Sequence, residues 1–199
     1  MSQKKSNLFI RFKFTWTRSR LKNQLGEFIV KKKALILYGS PHKNGHTQNA
    51  LNQVLNELKN DYDFDFINAF KENITPCTEG GICEKNDTCA FPDFNKIDRL
   101  IRECDLLVIA TPVYNASFPA PLKAIFDRTQ LYYNMKTKLK INPFKHKKNA
   151  ILVATYGSND VSCEQVILKQ LELFFALLNA KLLKAVFIGN TDKIKRRAD

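Results

Sequence analysis

The chain has 199 residues, and its 32 Lys and Arg residues against 19 Asp and Glu residues give a formal charge of +13. Such a length can bury one sizeable hydrophobic core, and nothing in the sequence indicates a second domain of similar size. No stretch reaches the roughly 18 to 20 uncharged apolar residues that a membrane-spanning helix requires, so we expect no membrane span.

The positive charge raises nucleic acid or an anionic surface as a partner. Its distribution weakens that interpretation, because residues 1–29 hold seven Lys and Arg residues and one acid, and a second basic cluster lies at residues 136–148. A basic enzyme that binds phosphorylated cofactors accounts for the same charge. We therefore do not expect nucleic acid as the main partner, although a basic nucleic-acid- or anion-binding protein stays an alternative.

The cysteines indicate a reducing environment. The chain has five, an odd number, and no secretory signal is evident in the sequence. A disulfide framework is therefore not expected, and we predict a reduced, cytoplasmic protein.

Residues 1–29 are predicted to be a basic extension that precedes a domain covering residues 30–199. Within the extension, residues 8–16 alternate apolar and basic side chains and could form a strand. The codons for Gly26 and Glu27 can resemble a bacterial ribosome-binding site, and Val30 can be encoded by an alternative start codon. Our hypothesis is that translation begins at Val30, which the mass of the native N-terminus would test.

The next segment is an apolar strand, residues 34–38, that leads into a polar loop and a helix beginning at Thr47. A short continuous apolar run is typical of a strand buried on both faces of a parallel sheet. The free N–H groups at the start of a helix favour a bound phosphate. The loop lacks both the Gly-Lys-Ser/Thr ending and the G-x-G-x-x-G pattern, so a monophosphate fits better than a triphosphate or a dinucleotide. An ordinary polar turn with an N-cap at His46 or Thr47 is the alternative.

A second strand is predicted at residues 64–70, at an edge of the sheet, and a long loop follows at residues 71–93. This loop carries Cys77, Cys83 and Cys89, whose spacing is not that of a zinc site. Loops of this length inside a compact domain are usually functional, so a wall of the substrate pocket or a subunit contact is expected. The alternative is that the thiols are buried as small hydrophobic groups.

The second half of the chain continues the alternation of helix and strand. We predict a helix at 94–103, a central strand at 104–110, a loop at 111–117 and a helix that begins at Pro119. A basic connection at 132–148 leads to a strand at 150–155, a loop at 156–160, a helix at 161–178 and a strand at 184–188. His146, in the basic connection, is expected to be exposed rather than catalytic.

Three segments together closely resemble the NAD(P)H-dependent FMN reductases of the flavodoxin-like superfamily: residues 33–47, 111–115 and 119–128. The resemblance extends from about residue 31 to about residue 190. It implies an α/β three-layer sandwich with a five-stranded parallel sheet of order 2-1-3-4-5. The final helix of such a domain is expected to be absent, because the residues after Asn190 are too few and too polar to form it.

The resemblance also implies a binding site for FMN at the carboxyl ends of strands one, three and four, with NADPH or NADH as co-substrate. The expected cofactor-binding residues are Ser40, His42, Asn44, Gly45, His46 and Thr47 in the first loop, Pro112, Val113, Tyr114 and Asn115 in the second, and Tyr156, Gly157 and Ser158 in the third. No side-chain acid or base is needed for hydride transfer, so no catalytic residue is expected.

Members of the family that carry an iron–sulfur cluster resemble the loop at 71–93 but have a fourth cysteine where this chain has Gly80. A four-iron cluster usually needs four thiolates, so no metal site is expected unless Cys104 or a water molecule takes the fourth place.

The function implied is therefore an oxidoreductase that passes hydride from a nicotinamide through FMN to a small acceptor such as a quinone, a flavin, or a nitro or azo compound. Relatives are usually homodimers or homotetramers, which we expect here as well. The main alternative is a flavodoxin-type electron carrier without substrate turnover of its own.

Overall fold

The structure, a computed structural model, describes residues 31–193. The predictions for residues 1–29, including a start of translation at Val30, lie outside the described residues. They stay predictions.

Five parallel strands form a single sheet in the order β2-β1-β3-β4-β5. The predicted strand order is confirmed, with β3 at the centre and β2 at an edge. The strands are β1 (Lys32–Tyr38), β2 (Tyr62–Asn68), β3 (Leu106–Pro112), β4 (Lys148–Thr155) and β5 (Ala180–Ile188).

Helices cover both faces of the sheet. One face packs against α1, and the opposite face packs against α3, α4, α5 and α6. None of the described helices is long and apolar enough to cross a lipid bilayer. The helices are α1 (His46–Leu58), α2 (Ala69–Glu72), α3 (Asn95–Glu103), α4 (Ala120–Arg128), α5 (Gln130–Thr137) and α6 (Ser162–Leu177).

The central strands are apolar throughout because both of their faces are buried. In β1, Leu35 and Leu37 belong to the core beneath α3 to α6, whereas Ile36 and Tyr38 belong to the core beneath α1. All four side chains are at most 2% exposed. The continuous apolar run at residues 34–38 is therefore a strand buried on both faces of the sheet, as predicted.

Two element boundaries differ from the prediction because local capping and packing decide them. The second strand was expected to run to Phe70, but it ends at Asn68, whose side chain accepts a hydrogen bond from the Phe70 amide (3.0 Å) and starts the short helix α2. The connection expected from residue 132 is helical as far as Thr137, because Tyr132 and Met135 are buried on one side of α5.

The last strand also differs from the prediction. It begins at Ala180, four residues earlier than expected, and pairs with β4 along its whole length. Lys181 lies within the added residues, and Lys184 was the first residue of the predicted strand. An irregularity in the pairing opposite Ala150 and Ile151 accommodates this charged stretch at the edge of the sheet.

Candidate functional site

The three loops expected to bind a cofactor lie at one end of the sheet. The neighbouring strands β1, β3 and β4 all end there, because parallel strands point the same way. The strand order reverses between β1 and β3, which is where open α/β sheets bind ligands. Two hydrogen bonds connect the loops through Thr155 at the end of β4: its hydroxyl pairs with that of Thr47 (2.7 Å), and its carbonyl accepts from the Val113 amide (2.8 Å).

The first loop, residues 39–45, is held tightly against its neighbours. The Gly39 amide donates to the Ala110 carbonyl (2.8 Å), and a Cβ at Gly39 would lie 2.6 Å from Leu122 Cδ2. The Tyr38 hydroxyl crosses the loop and donates to the His42 carbonyl (2.8 Å). Burial raises the pKa of Tyr38, while the adjacent Ser40 hydroxyl opposes that rise. These contacts hold the loop at both ends, and a side chain at residue 39 would require Leu122 to move.

Helix α1 starts one residue earlier than predicted, at His46, with Gly45 as its N-cap. The alternative interpretation placed the N-cap at His46 or Thr47, and the N-cap is neither of these residues. No side chain caps the helix, and its first turn contains no acid. The N–H groups of an uncapped first turn have no partner within the helix, and the helix dipole makes this end positive. Residues 39–47 also contain Lys43 and no Asp or Glu, so the electrostatics favour a phosphate.

The predicted residues of the first loop differ in their availability. Ser40 and Thr47 are each 3% exposed, whereas His42 and Asn44 are exposed at the tip of the loop. Since the Thr47 hydroxyl is already paired with Thr155, we expect Thr47 to offer its backbone N–H rather than its hydroxyl.

The second loop contains a tight turn. Tyr114 and Ser117 exchange two backbone hydrogen bonds of 2.9 Å, and the two residues between them have positive φ angles, 50° for Asn115 and 56° for Ala116. Left-handed backbone is uncommon for residues other than glycine and is often found at functional sites. The amides of Val113 and Tyr114 are used within the protein. Among the described hydrogen bonds, the amides of Asn115 and Ala116 are therefore the donors that this loop still offers to a ligand.

Gln170, on α6, fixes this turn from outside. Its side-chain oxygen accepts from the Ser117 hydroxyl (3.1 Å), and its side-chain nitrogen donates to the Ala116 carbonyl (3.2 Å). Sequence reasoning missed Gln170, because it lies more than 50 residues along the chain and a surface glutamine in a helix carries no recognisable signal. Tyr114, 43% exposed, lies beside the turn and offers an aromatic face to solvent.

The third loop follows β4 and holds Tyr156 inside the protein. Tyr156 is 7% exposed, and its hydroxyl is hydrogen-bonded to Glu164 of α6. Burial and this carboxylate raise the pKa of Tyr156 to about 12. A Cβ at Gly189 would lie 2.6 Å from the Tyr156 ring, so the ring is tightly enclosed. The Tyr156 amide donates to the Ile188 carbonyl (3.0 Å), so its backbone N–H is used within the protein as well.

The end of the described chain closes the third loop. The amide of Asn190 donates to the Ser158 carbonyl (2.6 Å), and that of Thr191 donates to the Tyr156 carbonyl (3.1 Å). The Asp192 carboxylate lies against Gly157, where a Cβ would come within 2.3 Å of its Oδ2. The absence of a side chain at Gly157 thus makes room for the Asp192 carboxylate. Asp192 was not anticipated, because nothing in the sequence connects it with residue 157.

A comparison with known protein families agrees with this geometry. The model of the family described as NADPH-dependent FMN reductase matches residues 32–192, which is most of the chain. The chain belongs to this family. The match includes all three loops of the site and all five strands of this FMN reductase-family domain.

Curated relatives of this FMN reductase-family chain are iron–sulfur flavoproteins. One from Methanosarcina thermophila is 32% identical over 104 residues, 51% of this chain and 54% of the relative. One from Archaeoglobus fulgidus is 32% identical over 110 residues, 54% of this chain and 50% of the relative. The chain thus spans about half the length of the curated relatives it matches.

Solved structures share the fold. An NAD(P)H:quinone oxidoreductase from Methanothermobacter marburgensis superposes with a TM-score of 0.63 at 14% identity, covering 83% of this chain and 90% of that one. An azoreductase from Bacillus anthracis str. Sterne gives a TM-score of 0.60 at 16% identity, covering 80% of this chain and 87% of that one. At such low identity, these likenesses show the fold alone.

Proposed function

We propose that this chain is an FMN-dependent NAD(P)H oxidoreductase that passes hydride from NADPH or NADH through bound FMN to a small electron acceptor. The observation that carries the proposal is the uncapped first turn of α1, which follows a loop without acidic residues. This turn lies where the strand order of the sheet reverses, and the chain belongs to a family named for FMN reduction. A dianionic phosphate matches that turn in charge and in hydrogen-bonding capacity.

Each loop has a distinct part in holding the cofactor. The N–H groups at the start of α1, with Ser40, would bind the phosphate. The second loop, from Pro112 to Asn115, would lie along the ring, with Asn115 and Ala116 offering amide donors. Backbone at Gly157 and Ser158 would approach the pyrimidine end.

Bound FMN supplies the redox chemistry, because its ring accepts and donates hydride. The residues of this chain bind and orient it. A rigid turn fixed by Gln170 keeps the Asn115 and Ala116 amides in one position, and preorganised donors stabilise negative charge that develops during reaction. Tyr114 leaves an exposed aromatic surface against which a flat acceptor can stack.

The acceptor is proposed to be a quinone, a free flavin, or a nitro or azo compound. Solved structures with this fold are named as a quinone oxidoreductase and an azoreductase, which supports a flat, conjugated acceptor. A homodimer or homotetramer is proposed as the assembly and the cytoplasm as the location.

Two measurements test the proposal. Titration of the flavin-free protein with FMN should quench flavin fluorescence with saturation near one FMN per chain. The loaded protein should then oxidise NADPH or NADH with a quinone present. Absence of FMN binding by a folded protein would overturn the proposal. Binding of FMN without nicotinamide oxidation would instead favour an electron carrier.

A further inference from the structure

The segment that the proposed function does not use is the long connection from α2 to α3, residues 73–94, which we name the cysteine loop. It carries Cys77, Cys83 and Cys89, all half-buried. The curated relatives are named iron–sulfur flavoproteins. Their names imply an iron–sulfur cluster, which in this chain would need cysteine ligands from this loop.

A buried guanidinium organises one half of the loop. Arg128, the last residue of α4, is 1% exposed. It donates from Nη1 to the Thr75 carbonyl (2.7 Å), from Nη2 to the Phe91 carbonyl (2.8 Å) and from Nε to Cys89 Sγ (3.1 Å). It also lies over the Phe91 and Phe94 rings, 4.9 and 5.4 Å from their centroids. Arg128 thus holds both ends of the loop and one of its sulfurs.

Asp93 balances the charge of this guanidinium. Its Oδ1 lies 3.0 Å from Arg128 Nη2, an ion pair whose angle is too poor for a hydrogen bond, and its Oδ2 accepts from the Thr75 amide (2.8 Å). Burial alone would raise the pKa of Asp93, but the Thr75 amide and the Arg128 guanidinium outweigh it, so the pKa lies below its ordinary value. The buried Arg128 guanidinium thus faces a carboxylate that is itself hydrogen-bonded to the loop.

A second side chain holds the other half of the loop. Asn134 of α5, 5% exposed, donates from Nδ2 to Cys83 Sγ (3.2 Å). Both Cys83 and Cys89 pack against the hydrophobic core beneath α3 to α6. The two sulfurs therefore each contact a different helix of that layer, Cys83 on α5 and Cys89 on α4.

The ligand set does not fit a four-iron cluster, which in the usual case needs four thiolates. Within residues 31–193, no three His, Cys, Asp or Glu side chains come together as a metal site. Cys104 does not supply a further ligand, because it is 2% exposed and its thiol lies against the Ile101 carbonyl (3.5 Å). Burial raises the pKa of Cys104 to about 11, which disfavours the thiolate that a metal would need.

We propose that Arg128 and Asn134 clamp the cysteine loop as a permanent structural wall, that its thiols are anchors rather than cluster ligands, and that the chain carries no iron–sulfur cluster. It follows, on the proposed function, that FMN is the single redox centre of this chain.

The first test is iron uptake. The chain and its Cys77→Ser variant are incubated anaerobically with ferrous iron and sulfide, desalted, and analysed for iron and acid-labile sulfide. Cys77→Ser is the matched control, because it removes one thiol of the loop without touching either anchoring contact. We expect the same background iron in both proteins and no broad visible absorption. About four iron atoms per chain, lost in the variant, would overturn the proposal.

The second test separates an anchor from a ligand at Cys89. Serine keeps an acceptor for Arg128 Nε, whereas alanine leaves that buried donor without one. We therefore expect Cys89→Ala to lower the melting temperature by ~2–4 °C more than Cys89→Ser. Equal effects of the two variants would contradict the anchoring role.

Both tests are done on protein freed of flavin and without nicotinamide. If FMN fails to bind while iron uptake stays at background, the proposed function fails and the structural role of the loop stands. If FMN binds and iron is incorporated, the proposed function stands and this inference fails.

Discussion

Two sets of polar, irregular segments differ in how their hydrogen-bonding groups are used. One is the three loops of the candidate site, residues 39–45, 111–117 and 156–160, which we name the cofactor loops after their proposed role. The other is the cysteine loop. At the start of α1 the N-cap Gly45 contributes no side-chain hydrogen bond, and the turn at Asn115 and Ala116 offers two backbone amides. In the cysteine loop, a guanidinium and an amide reach in from the helices and bind its carbonyls and sulfurs.

This difference distinguishes a ligand site from a structural segment. Polar groups in a folded protein are nearly always paired, so a cluster of unpaired donors at a helix start indicates a place for a ligand. A loop whose carbonyls and sulfurs are already hydrogen-bonded to buried side chains does not offer those groups to a ligand. Variants that remove a partner from the cysteine loop, or that add a charge beside the donors at the start of α1, test this comparison.

The largest effect is expected for Arg128→Met. Methionine fills a similar volume but leaves the Thr75 and Phe91 carbonyls unpaired and Asp93 without its cation. Removing one partner of a buried pair should lower the free energy of unfolding by about 3–5 kcal/mol, measured by urea denaturation. Lys123→Met, which removes an exposed pair with Asp127 on the same helix, should change it by less than about 0.5 kcal/mol. Similar effects of both variants would show that the contacts of Arg128 do not stabilise the cysteine loop.

A smaller effect, dependent on pH, is expected for Asp93→Asn. The Asp93 carboxylate accepts a hydrogen bond from the Thr75 amide and faces Arg128, so neutral asparagine should lower the free energy of unfolding by about 1–2 kcal/mol at pH 7. Because the folded pKa is depressed, the wild-type advantage is present above roughly pH 4 and is lost as the pH falls through the folded pKa. An advantage that is constant down to pH 2 would contradict this.

The cofactor loops should respond in the opposite way to an added charge. Gln48→Glu puts a carboxylate in the first turn of α1, where it stabilises the flavin-free helix but repels a phosphate. We expect FMN affinity to fall about 10-fold while the free energy of unfolding without flavin rises slightly. Gln53→Glu, at an exposed position five residues later on the same helix, is the control and should change the affinity less than about 2-fold. An unchanged affinity for Gln48→Glu would place the phosphate elsewhere.

The smallest effect is expected for Tyr156→Phe, which removes the hydrogen bond to Glu164 behind the third loop. The loss should be about 1 kcal/mol at neutral pH. Since the pKa of Tyr156 is raised to about 12, the wild-type advantage should be complete below roughly pH 10, should decline above it, and should be lost as the pH rises through about 12. Unfolding measured by urea at pH 8 and pH 11 checks the sign, with Tyr133→Phe, 45% exposed, as the control.

Local patterns predicted the sheet and the position of the cofactor loops. Continuous apolar runs identify buried parallel strands without knowledge of their neighbours, as at residues 34–38. The boundaries at Asn68 and Ala180 were missed, because a single side-chain hydrogen bond and pairing along β4 decided them. Propensity does not include either effect.

The sequence by itself determined the strands and the three polar loops that follow them, because hydrophobic periodicity and glycine placement are local properties. The fold class and the order of the strands were implied by the resemblance of three segments to the FMN reductase family. Only the tertiary structure decided which donors are uncommitted. Contacts such as Gln170 with the turn at Ala116, and Arg128 with Cys89, join residues far apart in the chain. Their partners are fixed by packing across the helix layer, which no local pattern encodes.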